Sequence, residues 1–597
     1  MDDQRNLLLA LLLSGLVLFG YIFFVEGPAR ERAIAAYEAQ QTEDAANNPT
    51  LATDPMGADT VPEIQDREIL LSSERQTGGR IAINTPALKG SFSLRGMRFD
   101  DLELVDYDKT LKPVDGKVVL FSPQGSDHAA YIYDNWVRGE GASGADQVWS
   151  LVSGEALTPT TPVSLSYEGN GYSVTRNVSI DDKYLITLDD TVLNTSGSEI
   201  ILTRKGAARQ HGLPEGLTNF FILHEGAATV VDGSLEKAKY KKVRKAKEPI
   251  THSGESGWVA LTDKYWLSAV IAPSGQVMTS TFDFQNQDGS DFYQAGYELK
   301  PMILSAGSTI QSTGHMFAGA KEVKLLNQYS EQLGDDKLDF AIDFGKILYP
   351  LTRPMTTGLN WLGHKTGNFG IAIMIMTLLI KLVLFPLNNK AYASQAKMKA
   401  VQPKTKKLQA LYKEDPQTLR VKTMELYKKE GVNPVGGCLP MIPQIFIFFA
   451  LYKTLLINVD MRHEPFFAWI RDLSAKDPLS ILNGFGILPW DPVPLAFLSF
   501  FAIGPLALMY GASMAAMQTL TPNAATDPMQ KKIFQLMPLI FMFILAPFAA
   551  GLLVYWVWNN ILTFAQQYII TRRYGVETPF DKFFGKIFGS KSTETAE

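Results

Sequence analysis

Hydrophobic residues are distributed along this 597-residue chain in two contrasting ways. Leu7 to Val25 is an almost unbroken apolar run. Five more follow Asn368, at Phe369 to Leu387, Leu439 to Val459, Pro494 to Met517, Ile533 to Phe548 and Gly551 to Ile570. Each is close to the roughly 17 to 25 residues with which a helix crosses a bilayer. Between about Arg67 and Thr313 the pattern changes to short alternating segments, among them "GRIAINT", "GKVVLFS", "YSVTRNVSI" and "YLITLDDTVLN", punctuated by Gly, Asn, Asp and Pro. A period of two with such punctuation predicts antiparallel strands of an all-β sandwich with few helices. The expected fold class is a polytopic α-helical membrane protein of six spans carrying one large all-β domain.

The connecting segments complete the picture. "ARERAIAAYEAQQTEDAANNPTLATDPMGADTVPE" has no sustained apolar period and reads as a flexible tether. The first apolar run is longer than a signal-peptide core, and its nearest A-x-A, Ala33 to Ala35, lies far downstream, so it reads as an uncleaved anchor. After Gly334, residues Leu338, Ala341, Phe344, Leu348, Leu359, Trp361 and Leu362 recur at near-helical spacing, with Pro350 and Pro354 as breaks. They predict an amphipathic helix on the bilayer surface, or else a surface helix of the soluble domain. Two helical stretches flank "KEDPQ", where Asp415 and Pro416 start the second. Met398, Val401, Leu408 and Leu411 would meet Leu419, Met424 and Leu426 along a thin seam, giving a helical hairpin. The plainer reading is a solvated basic loop that only sets orientation.

The net charge of -5 conceals local asymmetry. Between Asn388 and Val432 there are eleven Lys plus Arg against four Asp plus Glu; between Asp460 and Asp491, three against five. The bias of Lys and Arg toward the cytoplasm places the first loop inside and the second outside. Both termini then fall in the cytoplasm and the β domain outside, in the periplasm where there is an outer membrane. The single cysteine, Cys438, sits at the start of a membrane run, so the soluble domain holds no disulfide. The expected divisions are an anchor over 1–28, a linker over 29–66, a β-sandwich over 67–333 and an interfacial helix over 334–367. A five-helix core over 368–570 follows, with the cytoplasmic hairpin at 388–432 and a second cytoplasmic loop at 519–532, and then a tail over 571–597.

Candidate chemistry centres on Lys381, inside "MIMTLLIKLVLFPL". With the helix end at Leu387, its Cα would lie roughly 9 Å below the interface. It either snorkels to the headgroups or faces a water-filled cavity within the bundle. Thr377 lies one turn away on the same face. The last run carries Tyr555, Asn559 and Gln566 along one stripe and Trp556, Asn560 and Gln567 along the next, while Gln444 and Gln518 add amides from other runs. These groups either bond helix to helix or line a wet groove. Lys453, near the external end of its run, reads as a snorkelling residue. "GLNWLGHKT" lacks the lysine and the preceding strand of a phosphate loop, HExxH, CxxC and G-x-S-x-G are absent, and the seven histidines lack metal-ligand spacing. No enzyme, cofactor or metal is expected.

The stretches "MDDQRNLL", "GNFGIAIMIMTLLIKLVLFPL", "KMKAVQPK", "NPVGGCLPMIPQIFIFFALYKTL", "FFAWIRDLSAKDP", "TDPMQKKIFQLMP" and "AAGLLVYWVWNNILTFAQQ", in this order, resemble the YidC-type membrane protein insertases of Gram-negative bacteria. The resemblance implies a five-helix core around a hydrophilic groove open to cytoplasm and lipid, with one cationic residue in the first core helix. That residue is usually arginine, and here Lys381 stands in its place. The substrate-contacting face would map onto Thr377, Lys381, Tyr555 and Trp556. Implied partners are nascent membrane proteins, the ribosome and targeting factors at the cytoplasmic loops, the general secretion translocon and membrane lipids, with none for DNA. Two other classes stay in view: a secondary transporter or channel with Lys381 as its ion site, and a membrane-anchored sugar-binding protein working through the β domain.

Overall fold

The computed structural model describes residues 65–581 except 140–141, 219–221, 288–289, 335–336, 413–414, 433–440, 489–501, 522–527 and 579. The first apolar run, the tether to residue 64, Cys438, the start of the third run, residues 522–527 of the second cytoplasmic loop and the tail beyond 581 lie outside the described residues. The chain divides into two units, Met1–Phe344 and Gly345–Glu597.

In the first unit, helix α1 (Arg67–Gln76), capped by Asp66, precedes two sheets. One runs in hydrogen-bonded order Ile250–Gly254, Met278–Gln287, Ser290–Leu299, Ile200–His211, Ala130–Val137, Arg98–Asp108, Leu88–Ser93, Arg80–Asn84 and Ala156–Leu157. The other runs Ser234–Lys239, Gly226–Val231, Gly257–Thr262, Trp266–Ile271, Thr309–Ala320, Leu185–Asn194, Tyr172–Ile180, Val163–Gly169 and Ser150–Ser153. The sheets pack face to face, Ile200–His211 against Gly257–Thr262 and Trp266–Ile271. The alternating segments form strands as their period predicts: "YSVTRNVSI" buries Tyr172, Val174, Arg176, Val178 and Ile180 and turns the intervening residues outward or half outward. Two short helices, α2 (Tyr240–Lys245) and α3 (Val323–Gln332), complete the unit.

Four charges cross the middle of this sandwich. Asp134 and Arg204 come from one sheet, Arg176 and Asp190 from the other, and all four are buried. Arg176 donates to both oxygens of Asp190 at 2.6 and 2.7 Å, and Arg204 Nε donates to Asp134 Oδ1 at 2.7 Å. Trp136 Nε1 donates to Asp190 at 2.8 Å and Tyr297 donates to Asp134. Burial pushes the Asp190 carboxyl up, but Arg176 and Arg204 outweigh it and hold it below the ordinary carboxylate range.

The segment expected to be one interfacial helix over 334–367 is divided between the units. Its first part is a short 3-10 turn, Leu338–Ala341, tied to α3 by a 3.0 Å bond from Asp339 N to Ser330 Oγ. The second part is α4 (Tyr349–Thr366). Neither proline breaks it. Pro350 occupies the first turn, where no N–H is needed, and the helix runs through Pro354.

The second unit continues with α5 (Phe369–Val383), α6 (Phe385–Leu411), α7 (Pro416–Lys429), α8 (Met441–Ile457), α9 (Pro505–Leu520), α10 (Pro528–Leu545) and α11 (Ala550–Arg573). Helix α4 packs on α5 and α8, α11 on α5, α6 and α9, and α9 on α10. No single helix among the described residues is long and apolar enough to cross a membrane alone; α5 with α6 reaches that measure as a pair bent by 71°. The bend falls at Pro386, in the first turn of α6. A proline cannot donate to the preceding turn, and its ring clashes with the carbonyl four residues back. Helix α7 starts at Pro416 with the Asp415 carboxylate accepting from Gln417 N and Thr418 N, as the sequence predicts. The apolar seam expected between α6 and α7 is thinner still: Val401 is buried, whereas Leu411 and Met424 are exposed.

Candidate functional site

Helix α5 begins with Asn368 Oδ1 accepting from Ile371 N at 3.0 Å and continues as an apolar run. Its end at Val383 changes the position of Lys381, which lies in the last helical turn, not six residues inside. A cation there is favoured by the carbonyl end of the helix dipole. The short distance to the helix end would make snorkelling easy, yet the side chain turns inward. Lys381 is 9% exposed, while Leu378, Leu379, Leu382 and Val383 around it are exposed.

Lys381 Nζ donates to Thr563 Oγ1 at 2.7 Å, across the seam between α5 and α11. Thr563 in turn donates to Asn559 O at 2.6 Å, and the Tyr392 side chain from α6 also hydrogen-bonds to Thr563. That hydroxyl thus accepts from Lys381 and gives its own proton to the Asn559 carbonyl. The ammonium has three donors, and one of them has a protein acceptor among the described residues. No carboxylate pairs with it among the described residues. Trp558 Nε1 donates to Met374 O at 3.1 Å and holds the same two helices together about two turns back along α5.

The other expected residues divide among separate bonds. Thr377 is buried and donates to Ile373 O of its own helix at 2.7 Å. Gln444 of α8 bonds to Tyr555 of α11, and Gln518 of α9 donates to Phe534 O of α10 at 2.8 Å. Asn560 donates to Ser513 Oγ at 3.1 Å, and the Asn559 carbonyl receives Thr563. Trp556 stacks on Phe448 with centroids 5.6 Å apart and an interplanar angle of 9°, and meets Tyr510 and Phe548. Gln444, Gln518 and Asn560 thus serve helix-to-helix bonding, and Lys381, Thr563, Tyr392 and Asn559 form a connected group. Two further donors, Asn388 Nδ2 and Gln566 Nε2, are buried with no hydrogen-bond partner among the described residues. Lys453 does not reach outward as expected; it is 6% exposed.

Thr563 and Tyr392 are the residues the sequence reading misses. Thr563 fills the stripe Trp556, Asn560, Gln567, one helical step from each neighbour, and that spacing was a usable signal. Tyr392 lies beyond the Pro386 bend and no local pattern points to it. Among the described residues no group of three His, Cys, Asp or Glu is arranged to hold a metal ion.

The family model described as "60Kd inner membrane protein" matches residues 361–577, and the one described as "YidC periplasmic domain" matches residues 80–357. A protein of Maricaulis maris named "Membrane protein insertase YidC" is 43% identical over 98% of each chain. One of the same name from Caulobacter vibrioides is 37% identical over 100% of each. The solved structure of an active YidC insertase with its first transmembrane domain aligns over 82% of this chain and 92% of its own, at 17% identity and a TM-score of 0.35.

Proposed function

Because this chain belongs to the YidC family of membrane protein insertases, we propose that it passes the hydrophilic segment of a new inner-membrane protein along the α5–α11 seam. The observation that carries this reading is Lys381, a buried cation with unused donors and no acidic partner among the described residues.

The chain is an inner-membrane protein with a periplasmic domain, and its activity is insertion. The obstacle to insertion is the backbone of the crossing segment, where every unpaired polar group in hydrocarbon costs several kcal/mol. Polar groups reaching into the bundle shorten that path. Lys381 attracts acidic side chains or carbonyls of the entering segment, and the buried donors of Asn388 and Gln566 mark further places for water or substrate. The apolar helix of the substrate leaves sideways into lipid, driven by hydrophobic partitioning, so no nucleotide is consumed. In this reading the six apolar runs are spans, both termini are cytoplasmic, and α6 with α7 forms a cytoplasmic hairpin. That hairpin and the second loop receive ribosomes and targeting factors, and the core works alone or beside the general secretion translocon.

The test is the purified full-length chain in vesicles without nucleotide, presented with a released single-span protein. Protease-protected insertion is expected. Failure to insert, combined with substrate-driven ion flux, would replace this reading by a transporter or channel using Lys381 as its ion site.

A further inference from the structure

The last strand of one sheet, Ser234–Lys239, pairs with Gly226–Val231 and leaves its other edge without a strand among the described residues. The last strand of the facing sheet, Ile250–Gly254, pairs with Met278–Gln287 and is likewise open. Helix α2 joins these two edges through "KYKKVRKAK", residues 239–247, in which six of nine residues are Lys or Arg. The helix is pinned from below. Tyr240 and Val243 are buried, Tyr240 meets the Tyr293 ring edge-on at 4.9 Å, and Arg244 lies over Phe284 and pairs with Asp291 at 3.5 Å. Lys241, Lys242 and Lys245 on the opposite face are exposed and have no acidic partner among the described residues. With Lys237, Lys239 and His224 they line an open groove of about 800 Å³, beside Ala246 and Ile250.

Lysines on an edge strand ordinarily guard against edge-to-edge aggregation. Here they converge on a concavity next to two strand edges that carry no further strand among the described residues, which is the arrangement that adds a strand. We infer that this groove docks an extended acidic peptide segment, whose main chain pairs with an open edge while its carboxylates meet the lysines. Flexible ammonium groups suit carboxylates at variable positions better than one fixed bidentate anion. The occupant is a segment of a protein delivered to the outer face, since translocated segments are poor in Lys and Arg. That identity rests on the placement of this domain in the function proposed above; the chemistry of the groove does not.

The test is fluorescence anisotropy of a labelled peptide, alternating Glu or Asp with Thr or Val, on the full-length chain in zwitterionic-lipid discs. Residues 33–66 hold seven Asp plus Glu and no Lys, Arg or His, so their carboxylates are changed to amides throughout to remove competition in cis. The acidic peptide should bind, its Gln/Asn counterpart should not, and K241E/K242E/K245E should weaken binding about tenfold or more. Proline at alternate peptide positions should weaken it comparably by removing main-chain donors. Unchanged binding by the triple variant, or no binding of the acidic peptide at all, would overturn the inference. So would a proline-bearing peptide bound as well as the original and displaced equally by anionic lipid, which would mean that the lysines answer to lipid charge alone. Protease-protected insertion by the same variants in sealed vesicles separates a failure of the groove from a failure of the insertase reading.

Discussion

Lys381→Glu lowers insertion of a single-span protein with an acidic leader about tenfold or more, while Lys381→Arg keeps most of it. The effect is electrostatic. At Thr563 the wild-type ammonium has donors to spare and no carboxylate facing it among the described residues, so its charge acts on whatever enters the seam. A glutamate repels an acidic leader and offers no donor. Arginine keeps the charge and adds donors in a planar fork, and the Thr563 hydroxyl accepts from it as readily. Lys381→Ala removes attraction without adding repulsion and should fall between them. Thr563→Val tests position separately from charge: it leaves the ammonium in place but removes its anchor, so insertion should fall less than with Glu. In vivo pulse labelling with protease accessibility reads all four. Full insertion with Glu would sink the charge-attraction idea, and full insertion with Glu, Ala and Arg alike would make Lys381 a packing residue.

The second large effect concerns stability. Asp190→Ala should destabilise the β unit by about 3–5 kcal/mol, the scale expected when one partner of a buried ion pair is removed. The substitution leaves Arg176 and Arg204, both fully buried, to share Asp134 alone, and leaves Trp136 Nε1 without its acceptor. Replacing Arg176 and Asp190 together by Met and Leu should cost much less, because the opposing charges leave as a pair. Urea unfolding of the full-length chain in detergent, followed by tryptophan fluorescence, measures both; Trp149 lies 4.9 Å from the Arg176 guanidinium and reports the site. A single-mutant loss below about 1 kcal/mol, the range of exposed pairs, would contradict this. The pH dependence has a definite sign. The Asp190 carboxyl is held below its unfolded value of 3.8, so its stabilisation is present above that pH and is lost as pH falls through the lower folded value. Asp190→Ala removes that acid-labile share.

The strands were legible because their signal is local. "YSVTRNVSI" and "YLITLDDTVLN" alternate, and alternation decides which residues face the core. The same parity places Arg176 and Asp190 inward beside Val174, Val178, Leu188 and Val192. What no local pattern supplies is their pairing with Asp134 and Arg204 from the other sheet, because that contact exists only after the sheets stack. The bend after α5 was readable in principle from Pro386, but the proline lies inside an apolar run whose hydropathy reads as continuous. Lys381 stood out because a charge among Leu and Ile needs a reason. Its partner did not, since Thr563 is one of several polar residues on α11 and only the approach of α5 selects it. Several amides offered as groove residues have direct partners on neighbouring helices, which sequence polarity cannot distinguish from exposure to water.

In the proposed function substrate travels past Lys381 along the α5–α11 seam. A photoreactive residue at Thr377, one turn from Lys381 on the same face, tests it most directly when paired with a stalled nascent single-span protein and with the same probe at Val114, an exposed position of the β unit. A strong crosslink from position 377 to the nascent transmembrane segment, lost on Lys381→Glu, with none from position 114, is the predicted result. No crosslink from position 377 while the protein still inserts would contradict it.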